Sequence, residues 1–202
     1  MSHILLITSS PRAESYSTRV ARSLAENLVA REPDSTLTVR DLARKSLAHI
    51  DDTFAVARNL PPEKLTAAEN AALALSDELL KELFAADTLI IAAGMINFGI
   101  PSNLKAYIDY IVRPGVTFRY TAKGPEGLIT GKKVYLVLAR GGIYSKGPLQ
   151  PLNFQDTYLR AALPFIGLTD IEVITVEGVA LGRDVADQAV NDALARVSAI
   201  AA

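Results

Sequence analysis

The alternation of short apolar runs with longer amphipathic segments constrains this chain more than any other feature of its sequence. Ile4–Thr8, Thr88–Ala93 and Val134–Ala139 are dense in branched aliphatic residues, as strands buried on both faces require. Asp170–Val176 reads as a further strand. Thr36–Arg40 alternates apolar and polar residues as an edge strand would. Helical patterns lie between the strands. Ser17–Arg31 places Val20, Leu24 and Leu28 on one face. Thr66 with Glu69 forms a capping box, opening a helix that runs to about Ala85 with Leu75, Leu79 and Phe84 directed inward. Pro101 stands at the first turn of a helix carrying Leu104, Ile108 and Ile111. A final helix starts near Asp184, with Ala186, Val190, Ala193, Val197 and Ile200 on one stripe. Residues 43–64 read as irregular, and no element is assigned between Tyr144 and Asp170.

Strands alternating with helices predict an α/β fold with a five-stranded parallel sheet and helices on both faces. Five strands suit the order 2-1-3-4-5 of a flavodoxin-like three-layer sandwich, in which ligands sit outside the carboxyl ends of the strands. At 202 residues, one domain spanning 1–202 is expected.

Composition removes several chemistries. The chain has no cysteine, so disulfides, zinc–thiolate sites, iron–sulfur clusters and cysteine nucleophiles are excluded. Its two histidines, His3 and His49, are far apart in sequence, which argues against a histidine-based metal site or a Ser-His-Asp triad. A formal net charge of −1 is too small to drive non-specific nucleic-acid binding. It also argues against an acidic one-electron carrier of the flavodoxin type. No apolar run reaches the roughly 18 residues of a membrane span. Met1–Ser10 lacks the features of a signal peptide. The expected compartment is the cytoplasm.

The residues to inspect are therefore those just after the first, third and fourth strands. The first loop, Ser9–Ser17, carries hydroxyls at Ser10, Ser15 and Ser17 and leads into a helix start, whose free amides and dipole favour an anion. It has no Gly-x-Gly-x-x-Gly and no Gly-Lys-Ser/Thr, so a terminal monophosphate suits it better than a dinucleotide or a triphosphate. The second loop, Gly94–Pro101, offers Met95 and Phe98 as contact area for a flat ring and backbone amides around Asn97 for its edge. The third, Ala139–Tyr144, has Gly141-Gly142, where backbone N–H groups can point at a ligand oxygen and stabilise negative charge on a reduced flavin. Each loop alone is equally an ordinary turn or helix cap. Their weight is joint, because all three fall at the expected crevice.

Together these segments resemble the FMN-dependent NADH azoreductases, also described as NADH:quinone oxidoreductases of the flavodoxin-like class. The most specific matches are Ser9–Ser17, Met95–Phe98 with Pro101–Lys105, Val116–Leu128, and Arg140-Gly141-Gly142. The resemblance implies that Ser10, Ser15, Tyr16 and Ser17 hold the FMN phosphate. It implies that Met95, Ile96, Asn97 and Phe98 wall the isoalloxazine, and that Ala139, Arg140, Gly141 and Gly142 meet its pyrimidine edge. It further implies a homodimer whose active sites borrow residues from the partner subunit, with Tyr120 and Phe165 at substrate-pocket positions. Phe118 and Tyr144 complete the candidate pocket. Gly94, Ile96 and Ala139 depart from the family pattern, which usually has Pro and Tyr at the first two and often Ser at the third. The expected reaction is hydride transfer from NADH or NADPH through FMN to a quinone or azo compound, in ping-pong order. A flavin-binding module without redox work is the remaining alternative.

Overall fold

A computed structural model describes residues 2–200. Five parallel strands form the main sheet: β1 (His3–Thr8), β2 (Thr36–Asp41), β3 (Thr88–Gly94), β6 (Lys133–Arg140) and β7 (Asp170–Glu177). Their order is β2-β1-β3-β6-β7. Counting only these strands, that is the expected 2-1-3-4-5. The intervening β4 (Phe118–Thr121) and β5 (Gly124–Gly127) form a separate antiparallel hairpin. Helices α1 (Tyr16–Arg31), α3 (Ala67–Ala85), α4 (Ser102–Ile111) and α6 (Arg183–Ile200) match the helical patterns of the sequence. Two helices do not: α2 (Asp52–Ala57), inside the stretch read as irregular, and α5 (Phe154–Phe165), in the stretch left unassigned.

Alternate residues of each central strand enter separate cores, because successive side chains point to opposite faces. Leu5, Ile7, Leu89, Ile91, Leu136 and Leu138 pack with residues of α3, α4 and α5. Ile4, Leu6, Ile90, Ala92 and Val137 pack with residues of α1 and α6. The edge strand β2 inverts its apparent pattern. Its apolar Leu37 and Val39 remain exposed, while Arg40 is buried and pairs with Glu78 and Glu82 of α3. Phe84 is 44% exposed, so the inward position expected for it is corrected. The buried positions of α3 are Leu73, Ser76, Leu79, Leu80 and Leu83.

The two unexpected helices have identifiable local causes. Asp51 caps α2 by accepting from Phe54 N–H at 2.8 Å, and Phe54 is then buried against Tyr110. Asn153 caps α5, accepting from Asp156 N–H at 3.3 Å. Pro164 lies in the last turn of α5, where it masks the helical pattern without interrupting most of it. Gly127 of the hairpin meets Gly167 after α5 so closely that no Cβ fits between them, and Gly167 has φ +102°. Among the described residues, no helix is long and apolar enough to cross a membrane.

The capping box opening α3 is complete. Glu69 N–H donates to Thr66 Oγ1 at 3.3 Å, and Thr66 N–H donates to the Glu69 carboxylate at 2.8 Å. Thr66→Ala should cost about 1 kcal/mol, lowering the thermal midpoint by roughly 2–4 °C. Calorimetry checks this, and an unchanged midpoint would count against the cap's contribution.

Candidate active site

The crossover after β1 runs to β2 on one side, and the connection after β3 leads to β6 on the other, so the loops above β1 and β3 diverge and leave a crevice. There the carboxyl ends of the strands open into a cleft of about 300 Å³. Its walls come from four places: Ser10, Pro11, Arg12, Ser15, Tyr16 and Ser17 after β1; Gly94, Met95, Ile96 and Pro101 after β3; Ala139, Arg140 and Gly141 at the end of β6; and Val179 and Ala180 after β7. Arg12 and Arg140 are the only charged residues among those walls. With no carboxylate present, the cleft suits an anion.

The first loop is fastened at its base. Buried Ser9 donates to Ala92 O through both its N–H, at 3.2 Å, and its hydroxyl, at 2.8 Å. Asn103 Nδ2 on α4 donates to Ser9 O at 3.0 Å. Ser15 then caps α1, accepting from Thr18 N–H at 3.3 Å, and its oxygen lies 3.2 Å from Ser17 Oγ. The first-turn amides of Tyr16 and Ser17 are beyond reach of any intrahelical acceptor. The first turn of α1 holds no acidic residue to occupy the positive end of its dipole.

The second loop is a strained turn. Met95 N–H donates to Ala139 O at 2.8 Å, and Ile96 and Gly99 exchange backbone bonds of 3.1 and 3.0 Å. Between them Asn97 has φ +46° and Phe98 φ +72°. Two positive φ values mark the backbone of a type I′ turn. Asparagine tolerates this region, but phenylalanine rarely occupies it. Such strain persists where the surroundings enforce it. The Phe98 ring meets Tyr144 edge-on at 6.3 Å, tying this loop to the one after β6. A Cβ on Gly94 would meet nothing within 4 Å, so the position that departs from the family's proline is open space.

The third loop is anchored from below. Arg140 is 2% exposed. Its Nε donates to Gln155 Oε1 at 3.0 Å and its Nη1 to Glu177 Oε1 at 2.7 Å, while Nη2 is buried without a partner. Gln155 Nε2 donates onward to Ala93 O at 3.1 Å, and Glu177 Oε1 also accepts Tyr144 N–H at 2.8 Å. Carbonyls of Arg140, Gly141 and Gly142 accept from Val179, Ala180 and Gly178, at 3.2, 3.0 and 3.1 Å. Burial pushes the Glu177 carboxyl up, but hydrogen bonds from Ser145, Arg140 and the Tyr144 amide outweigh it and leave the group below its ordinary range.

Nine of the twelve cofactor residues expected from the sequence thus line one cleft. Asn97, Phe98 and Gly142 are not among its lining residues, although they follow Ile96 and Gly141, which are. Asn97 lines an adjoining hollow of about 640 Å³ with Ile96, Ile100, Phe154 and Tyr158. The aromatic candidates divide. Tyr144 lies outside the cleft lining and meets the Phe98 ring. Phe118 packs instead against Phe165 and Tyr120, with ring centres 4.5 and 5.6 Å apart, and Tyr120 is 75% exposed. That cluster follows the far ends of α4 and α5, beside the amino ends of the strands, about 18 Å from the cleft by the length of α5. The segment Arg113–Leu128 therefore does not fold over this chain's own cleft, and Phe118, Tyr120 and Phe165 do not line it. The reason is that α4 carries the chain away from the cleft before the segment begins. Gln155, Glu177, Val179 and Ala180 were not singled out from the sequence. The last two follow a strand end, a signal that was available, whereas Gln155 sits in the helix left unassigned.

The depressed Glu177 carboxyl gives a pH dependence of stability. Its native ionised form is favoured, so its contribution is complete above the unfolded carboxylate range and is lost as pH falls through the lower native value. Glu177→Gln should therefore flatten the decline in stability as pH falls through and below the ordinary carboxylate range. Denaturant titrations across that range measure this, and slopes equal to the parent's would be the contrary result.

A model of the flavodoxin-like fold family matches residues 2–201. The FMN-dependent NADH:quinone oxidoreductase 1 of Rhizobium etli is 56% identical over 201 residues, covering 100% of this chain and 98% of that protein. The FMN-dependent NADH:quinone oxidoreductase of Agrobacterium fabrum is 49% identical over 202 residues, covering 100% and 98%. Among solved structures, an azoreductase from Bacillus anthracis superimposes with a TM-score of 0.92 at 29% identity, covering 100% of this chain and 99% of that one. An FMN-dependent NADH-azoreductase of the same organism, solved with FMN, gives a TM-score of 0.87 at 27% identity, with 100% of both chains covered. The fold, the crevice and these similarities converge: the chain belongs to the flavodoxin-like family of FMN-dependent NADH:quinone oxidoreductases.

Proposed function

We propose that this chain is an FMN-dependent oxidoreductase that takes hydride from NADH and reduces quinones or azo compounds, working in the cytoplasm as a homodimer of single-domain, three-layer α/β/α subunits. One observation carries the reading: a single carboxylate-free cleft joins a hydroxyl- and amide-rich end to an apolar end edged by glycine backbone. The first end suits a phosphate and the second a flat ring. Relatives about half identical over their whole length are named for FMN, NADH and quinone.

FMN, when bound, supplies hydride acceptance and donation. The protein's part is positioning. Ser10, Ser15, Ser17 and the α1 amino end hold the phosphate, with Arg12 beside them. Met95 and Ile96 form a side wall. The N–H groups of Gly141 and Gly142, with the Arg140 cation beneath, favour negative charge at the pyrimidine edge. No histidine, cysteine or carboxylate lines the cleft to act as nucleophile or base. One open face serves the nicotinamide and the acceptor in turn, which gives ping-pong kinetics.

The groove between α4 and α5 supports the dimer reading. Its near end is the hollow beside the cleft, with half-exposed Ile96 and Phe154. Its far end is lined by Ile108, Val112, Tyr158, Ala162 and Phe165. An isologous pair buries the same patch on both copies. A two-fold axis across this groove sets the far end of each chain against the cleft of the other. That brings Phe118, Tyr120 and Phe165 of the second copy to the substrate's open face, which they do not reach in their own chain.

The test is spectroscopic. Purified protein should show a flavin absorbance band that NADH bleaches and a quinone restores. Ser17→Ala should weaken FMN binding by about fivefold to tenfold, the value of one hydrogen bond to a charged group, in a fluorescence titration. A bound flavin that NADH does not bleach would reject the assignment.

A further inference from the structure

Four elements of the fold meet in one buried polar chain behind the cleft. Ala93 O, at the end of β3, accepts from Gln155 of α5, and Gln155 accepts from Arg140 at the end of β6. Arg140 donates to Glu177 at the end of β7, and Glu177 accepts from the Tyr144 amide in the loop above. Arg140 and Gln155 are buried, and the Glu177 side chain is 13% exposed. A buried ion pair rarely contributes enough stability to account for its presence, since hydrophobic replacements do as well or better. Its location adds a second point. The backbone of Arg140 to Gly141 lines the cleft, and Tyr144 closes the same loop against Phe98.

We propose that Glu177 and Gln155 are positioning residues that hold Arg140 as a fixed, partly neutralised cation beneath the Gly141–Gly142 loop, and so set the reduction potential of the flavin. The inference rests on the flavin reading above. Gln155 holds the guanidinium from the β3 side and Glu177 from the β7 side. By taking the Tyr144 amide as well, Glu177 Oε1 fixes the far end of the loop. The charge of Glu177 then decides how much of the Arg140 cation the cleft feels, because low-dielectric surroundings screen it little. More uncompensated positive charge stabilises the reduced, more negative ring and raises the potential. Less has the opposite effect.

Glu177→Gln separates geometry from charge. Its amide oxygen still accepts from Arg140 and the Tyr144 N–H, while the negative charge is gone. In the FMN-loaded protein, the expected change is a tenfold shift of the two-electron equilibrium toward the reduced flavin, about 30 mV upward. Potentials are read by equilibration against a reference dye, with FMN affinity measured separately. Arg140→Met should shift the equilibrium the other way. The double variant Arg140→Met/Glu177→Gln leaves no unpaired buried charge, keeps the fold testable, and should fall between the single variants. Unchanged potentials across variants that bind FMN would overturn the inference and leave the flavin reading intact. A parent protein that takes up no flavin would overturn both.

Discussion

Burial of both faces of the five-stranded sheet is the constraint on which the rest of this structure depends. A parallel sheet leaves no face for water, so the interior positions of each central strand must be apolar, and Ile4–Ile7 of β1, Leu89–Ala93 of β3 and Val134–Ala139 of β6 are. The crossovers that cover the faces carry the chain back to the amino edge each time. Every loop at the carboxyl edge therefore follows a strand and precedes a helix. That arrangement gathers four short loops into one place and turns a helix amino end toward them. The cleft is a consequence of covering the sheet.

What makes the cleft a site is a small set of buried polar contacts that do not serve the sheet. Ser9 is held by Ala92 O and Asn103, so the hydroxyls that follow it start from a fixed point. Met95 is tied to Ala139, and the loop after β6 is tied to residues 178–180 after β7. Arg140, Gln155 and Glu177 close the set from beneath. Each contact spans two elements, so the loops are held relative to one another rather than each by its own turn. The strained turn at Asn97 and Phe98 fits this picture. Its positive φ values are tolerated because Ile96–Gly99 pairing and the Tyr144 ring enforce them.

Legibility followed the length and regularity of each pattern. α1, α3 and α6 announce themselves by stripes of 16 to 19 residues, and the Thr66–Glu69 capping box fixes the start of α3 to the residue. α2 is only 6 residues long, too short for periodicity to register, and rests on the Asp51 cap and burial of Phe54. In α5, Pro151 before the helix and Pro164 inside it read as punctuation. On β2, the apolar positions looked like the inward ones. The α3 carboxylates Glu78 and Glu82 make burial of Arg40 the better solution, and no local rule foretells a partner 38 or 42 residues away.

The strands, most of the helices and the three loops at the strand ends were legible locally, because hydrophobic period and turn residues act over a few residues and need no distant partner, and the strand order followed from the fold class that such alternation suits. The hydroxyls of Ser10, Ser15 and Ser17, Met95 and the Gly141-Gly142 pair were all readable at their strand ends. Tertiary structure alone decided which side chains meet. It brought Gln155 and Glu177 under Arg140, set Val179 and Ala180 into the cleft wall, and carried Phe118, Tyr120 and Phe165 to the opposite end of the sheet. Those placements depend on where α4 and α5 run and on pairings between residues tens of positions apart, which no local pattern encodes.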